Sequence, residues 1–167
     1  MFKKLFGKKE DPNNKALELA APATGEIVPL DQVPDPVFAE KMMGDGLAIN
    51  PIEGVVAAPV DAEILQVFPT KHAVGLKADN GAEILIHIGL ETVSMNGEGF
   101  QSFVTQGDRV KKGQKLISFD LDLIKEKAKS TVTPVIITNG DNFGSLEKAA
   151  ESIAVLGETH FLTVNPK

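Results

Sequence analysis

Apolar residues in this chain come in short stretches, several of them alternating with polar residues, and most stretches stop at Gly, Pro, Asn or Asp. That pattern predicts strands at Glu26–Val28, Gly46–Ile49, Gly54–Ala57, Glu63–Val67, His72–Lys77, Glu83–Ile88, Lys115–Asp120, Pro134–Thr138 and Phe161–Val164. Asp79-Asn80-Gly81 joins two of them in hairpin fashion. The 3.6-residue period is clear in one place, Leu121 to Lys129, where Asp120 can cap the helix, acids lie early, lysines lie late, and Leu121, Ile124 and Ala128 form a narrow apolar stripe. A second short helix is expected over Ser145–Ala150, and a helical turn near Phe38–Met43. Many short strands separated by turn residues predict an all-β fold: an antiparallel β-sandwich or barrel-like single domain with one or two short helices.

The strand pattern is also duplicated. Ala20-Ala21-Pro22-Ala23-Thr24-Gly25-Glu26-Ile27-Val28 is echoed by Ala57-Ala58-Pro59-Val60-Asp61-Ala62-Glu63-Ile64-Leu65. Two copies are too few for a solenoid, which takes three or more stacked units, so this is a repeat inside one domain. A weaker echo pairs Gly44-Asp45-Gly46-Leu47 with Gly107-Asp108-Arg109-Val110, each read as a turn entering a strand. Glu10 to Lys15 reads as linker, which divides the chain into a basic tail and linker, 1–16, and a folded domain, 17–167.

The run Glu83-Ile84-Leu85-Ile86-His87-Ile88-Gly89 holds a histidine inside an apolar stretch. Side chains alternate across a strand, so Ile84, Ile86 and Ile88 share the core face while Glu83, Leu85 and His87 share the other. His87 then points outward beside an exposed Leu85, which suits a docking surface. Gly89 allows a bend or a close approach. With the turn centred near Asn80, the hairpin arms to His72 and His87 are nearly equal, which brings the two imidazoles to one region. Thr70, two residues before His72, falls on the same strand face and can orient its ring through a hydrogen bond.

By residue type alone, each of His72, His87 and His160 is most simply a surface or core-edge side chain. Convergence of two of them with a hydroxyl is compatible with a zinc site, an acid/base pair, or a nucleophile with a helper. A permanent zinc site lacks an evident third ligand, and no Walker-type phosphate loop occurs. For a nucleophile, one neutral ring nitrogen can attack phosphorus if the other is held by a hydrogen bond, with His72 donating to the phosphoryl oxygens. Arg109 is the single arginine, so a bidentate arginine clamp is not expected.

Composition narrows the partners. The net charge is −6, and Trp and Tyr are absent, which argues against nucleic-acid binding. There is no cysteine, so thiol chemistry must come from a partner. Lys3, Lys4, Lys8 and Lys9 surround Phe2, Leu5 and Phe6, a tail suited to weak contact with an anionic membrane surface or to simple solubilisation. No secretory signal or long apolar run is visible, and the chain is expected to be a soluble intracellular protein. It is also expected to be a monomer.

Several separated blocks closely resemble the glucose-family IIA component of the sugar phosphotransferase system. They are Phe68-Pro69-Thr70-Lys71-His72, Glu83 to Val93, Gly97-Glu98-Gly99-Phe100, Gly107 to Gly113 and Lys127 to Val135, with weaker likeness at Val33 to Lys41 and Gly44-Asp45-Gly46. The resemblance implies a cytoplasmic antiparallel β-sandwich that accepts a phosphoryl group from the phosphohistidine of HPr and passes it to a cysteine on the IIB domain of a sugar permease. It implies that His87 is the phosphoacceptor, His72 the second active-site histidine and Thr70 its orienting hydroxyl. It places the apolar docking face on Phe38, Met42, Met43, Phe68, Leu85 and Val93. No permanent cofactor is implied, although His72 and His87 can share a transient zinc ion with a partner carboxylate. Regulatory target proteins are a further property of that family.

Two other readings compete. Ala58 to Ile64 and Gly107 to Gln114 resemble biotinyl and lipoyl domains, but the carrier lysine motif is missing between them. A zinc peptidase of related barrel-like fold would want a His-x-His pair where this chain has His87-Ile88-Gly89.

Overall fold

The computed structural model describes residues 15–167, so the basic tail and its expected membrane contact lie outside the described residues. In chain order the strands are β1 (Leu17–Ala20), β2 (Gly25–Pro29), β3 (Asp45–Pro51), β4 (Val55–Ala57), β5 (Ala62–Val67), β6 (Ala73–Ala78), β7 (Glu83–His87), β8 (Phe100–Ser102), β9 (Arg109–Val110), β10 (Lys115–Phe119), β11 (Thr133–Ile137), β12 (Leu146–Lys148), β13 (Ile153–Ala154) and β14 (His160–Val164). Two α-helices accompany them, α1 (Pro36–Ala39) before β3 and α2 (Leu121–Lys127) before β11. Every strand expected from the hydrophobic pattern is present. Strands β1, β8, β9, β12 and β13 are additional, and each is too short to carry a readable period.

All strand pairings are antiparallel, in an eight-stranded sheet ordered β13-β2-β3-β11-β7-β6-β5-β9 and two three-stranded sheets, β1-β14-β12 and β4-β10-β8. One face of the large sheet, with Leu47, Ile49, Val74, Ile84, Ile86 and Val135, packs on Leu116, Ile117, Phe161 and Leu162 from the smaller sheets to make the main core. This is the sandwich that the alternation predicts.

The opposite face of the large sheet differs from expectation. Leu85 is 6% exposed, because Leu30, Val33 and Phe38 from the segment after β2 fold over it and form a second apolar cluster with Ala48, Ala73, Leu90 and Ile136. Removing a leucine side chain from water stabilises by roughly 1.5–3 kcal/mol, so a bare Leu85 beside Ile136 invites such a cover.

The duplicated segments meet. The Ala20 amide donates to the Pro59 carbonyl at 2.9 Å and the Ala57 amide to the Pro22 carbonyl at 2.8 Å, one exchange repeated under a pseudo-twofold. Each proline, lacking an amide of its own, serves here as an acceptor.

Helix α2 opens as expected, with the Asp120 carboxylate accepting from the Leu123 amide at 3.1 Å and Ile124 buried. It stops two residues short of Lys129, because the Lys129 amide turns to the Leu90 carbonyl at 3.1 Å. Helix α1 has Asp35 as N-cap and Pro36 in its first turn, and it ends before Lys41, whose φ of 59° breaks it. Met42 and Met43 therefore lie beyond the helix rather than on it. The expected helix over Ser145–Ala150 is instead β12, drawn into an edge pairing with β14 in which Leu146 faces Val164.

Candidate functional site

The turn Asp79-Asn80-Gly81 closes the β6–β7 hairpin, with Gly81 at φ 93° and the Asn80 side chain accepting from the Ala82 amide at 3.0 Å. The register that results sets His87 opposite Ala73. His72 is one residue earlier, and its carbonyl accepts from the Ile88 amide at 2.7 Å. In an uninterrupted strand His72 would point away from His87. It does not, because Phe68 to His72 forms a turn closed by the Lys71 amide on the Phe68 carbonyl, with Lys71 at φ 59°. The two rings meet edge to face with centroids 5.0 Å apart. The small Ala73 side chain opposite His87 leaves room for that approach.

The same turn corrects the reasoning for Thr70. Thr70 and His72 are not on a strand face; the turn brings the Thr70 hydroxyl to 2.6 Å from His72 Nδ1. His87 Nδ1 donates to the Gly89 carbonyl at 2.8 Å. A carbonyl can only accept, so Nδ1 carries the proton and Nε2 of a neutral His87 keeps its lone pair. Gly89 sits at φ 70°, and a Cβ there would lie 2.7 Å from Thr92 Cγ2 and 2.9 Å from the Ser130 carbonyl. No other residue fits.

Each imidazole has an aromatic neighbour: Phe38 at 5.1 Å from His87 and Phe68 at 5.6 Å from His72, centroid to centroid. Burial pushes the His72 pKa down to about 4, with a charged His87 also disfavouring a second cation. Burial lowers His87 as well, opposed by its bond to the Gly89 carbonyl and by the Asp35 carboxylate. Both rings are therefore neutral near pH 7. Sequence reasoning missed the Gly89 carbonyl as the orienting group and Asp35 as the nearby charge; the Asp35-Pro36 helix-start pattern was the available signal for the latter.

The residues assigned to the docking face divide into two layers. Met42 is 69% and Val93 55% exposed, and Met43 is exposed with them, while Phe68 is half-buried. Phe38 and Leu85 are buried beneath, so they support the surface rather than form it. His160 opens β14 in another sheet and shares a 2.7 Å hydrogen bond with Thr163, consistent with a structural role. Among the described residues no group of three His, Cys, Asp or Glu could hold a metal, so an ion at His72 and His87 would need a ligand from elsewhere. No helix among the described residues is long and apolar enough to cross a membrane.

Comparison with known proteins identifies the family. Residues 17–143 match the family model described as phosphoenolpyruvate-dependent sugar phosphotransferase system, EIIA 1. The PTS system glucose-specific EIIA component of Bacillus cereus is 56% identical over 167 residues, all of both chains. That of Staphylococcus aureus is 51% identical over 164 residues, 98% of each chain. The solved structure of glucose permease IIA from Mycoplasma capricolum is 42% identical, superposes with a TM-score of 0.80 and covers 90% of this chain and 96% of that one. Nothing in these comparisons supports the biotinyl or lipoyl carrier or the zinc peptidase. The chain belongs to the EIIA 1 family of the phosphoenolpyruvate-dependent sugar phosphotransferase system, in which it is a phosphoryl carrier for sugar uptake.

Proposed function

We propose that His87 is the residue that carries the phosphoryl group, taking it from the phosphohistidine of HPr and giving it to a cysteine of the IIB domain of a glucose-type permease. The observation that carries this reading is the bond from His87 Nδ1–H to the Gly89 carbonyl, which leaves Nε2 as the free nucleophilic nitrogen beside His72. The Nε2 lone pair forms a new N–P bond as the N–P bond of the donor breaks and its electron pair returns to the donor ring. In the second transfer the cysteine thiolate attacks the same phosphorus, and the electron pair of the breaking bond returns to Nε2. The Nδ1 proton stays on His87 throughout.

His72 is neutral, and a Thr70 hydroxyl that donates to its Nδ1 leaves the other ring nitrogen as an N–H donor for the phosphoryl oxygens. Met42, Met43 and Val93, with Phe68 at the edge of the site, form the surface on which both partners dock. Residues 17–167 act as the phosphotransfer unit, in the cytoplasm and without a permanent metal. The test is incubation with HPr, the enzyme that charges it and labelled phosphoenolpyruvate, followed by peptide mapping of the acid-labile label. The label is expected on the peptide containing His87; label on another histidine would overturn the assignment.

A further inference from the structure

We propose that Thr92 and Thr133 are positioning residues for phosphoryl transfer, their two hydroxyls clamping the Ile88–Gly89 peptide so that the Gly89 carbonyl is aimed at His87 Nδ1. This rests on the assignment of His87 as the carrier.

The Thr92 hydroxyl donates to the Ile88 carbonyl at 2.6 Å, and the Gly89 amide donates to the Thr133 hydroxyl at 3.3 Å. These are the two polar ends of one peptide plane. Thr133 is free to accept there because its own proton goes to the Thr131 carbonyl at 3.0 Å. The following peptide is held too, by the Leu90 amide on the Ser130 carbonyl at 2.9 Å. Both threonine residues are fully buried, and each hydroxyl there makes a directed bond that a valine of similar shape could not.

That need follows from Gly89 itself. The tight space requires glycine, yet glycine has the freest backbone of any residue. Left alone, its carbonyl would sample many directions, and the His87 ring would lose its preference for the Nδ1–H form. Fixing the peptide on each side of Gly89 restores the direction that glycine gives up.

The test uses the full chain with Thr92→Val, Thr133→Val and the hydroxyl-retaining Thr92→Ser and Thr133→Ser. Nitrogen-15 NMR of the His87 ring reads the tautomer, and single-turnover transfer from phosphorylated HPr reads rate constant and half-saturation separately. The valine variants are expected to show mixed tautomers and a rate constant lower by on the order of tenfold, with half-saturation unchanged; the serine variants should recover both. Folded valine variants that keep the Nδ1–H form and the full rate would overturn the proposal. So would an Nε2–H ring in the unphosphorylated wild-type chain, a measurement that needs no variant to fold. Failure of the underlying assignment reads differently: His87 would then take no label in the wild type, whatever its tautomer.

Discussion

His72 stands edge-on to His87, ring centroids 5.0 Å apart and planes at 78°, with the Thr70 hydroxyl behind one ring and the Gly89 carbonyl behind the other. The two outer partners differ in kind, a hydroxyl and a carbonyl, and so the two imidazoles can hold opposite tautomers. One ring then offers a lone pair where its neighbour offers an N–H. On the proposed assignment, a phosphoryl group arriving at His87 meets nucleophile and stabiliser together.

Replacing His87 by Gln should reduce phosphoryl acceptance to background while leaving the fold intact, because the side chain is half-buried at the end of β7 rather than in the main core. Labelling and the melting curve together decide. Full labelling of this variant would move the carrier role elsewhere.

His72→Gln removes the proposed donor to the phosphoryl oxygens, and losing one such donor costs on the order of a hundredfold in rate. Delivery to IIB should suffer more than acceptance from HPr. Thr70→Val should act in the same direction but less, since the ring remains and only its orientation is freed. Intact rates in both directions for His72→Gln would remove its proposed role.

The acceptance reaction needs a neutral His87, and burial holds that pKa below the ordinary histidine value of 6.5. The fall in rate measured in rapid mixing should therefore have its midpoint below pH 6.5; a fall centred at or above 6.5 would contradict the burial effect. Stability has its own window. His72 goes from about 4 in the fold to 6.5 unfolded, so the unfolded chain takes the proton first, and the stability present above pH 6.5 is lost as pH falls toward 4. His72→Gln should flatten that part of the melting-temperature profile.

Met43→Glu and Val93→Glu place a charge on the exposed layer of the proposed docking face and should weaken binding of both HPr and IIB while leaving the melting temperature near that of the parent. Leu85→Ala should do the reverse, costing about 2–5 kcal/mol of stability because it empties a site in the second cluster. Calorimetric titration and denaturant melts separate the two. Unchanged affinities for the surface variants would shift the docking face.

The hairpin that joins the histidines was legible, since Asp79-Asn80-Gly81 announces itself and its arms are nearly equal. The one-residue offset, His87 facing Ala73, was not. The hairpin turn sets that register, and the His72 ring reaches His87 only because Lys71 adopts a left-handed conformation, which a lysine gives no local sign of. The burial of Leu85 escaped for a different reason: strand alternation says which side a residue faces, but not that a distant segment carrying Leu30, Val33 and Phe38 will return to cover it. At Leu146 to Lys148 a helix-favouring composition yielded to edge pairing with β14, a case of tertiary context overriding propensity.

Phe38 and Phe68 do more than pack. A phosphoramidate bond is prone to spontaneous hydrolysis when water reaches it, and a phenyl ring lies close to each imidazole, Phe38 by His87 and Phe68 by His72. The charged carrier should accordingly outlive an exposed phosphohistidine and wait, still loaded, for its next partner. Its half-life in the absence of IIB, compared between the parent and Phe68→Ala, measures how long that wait can be.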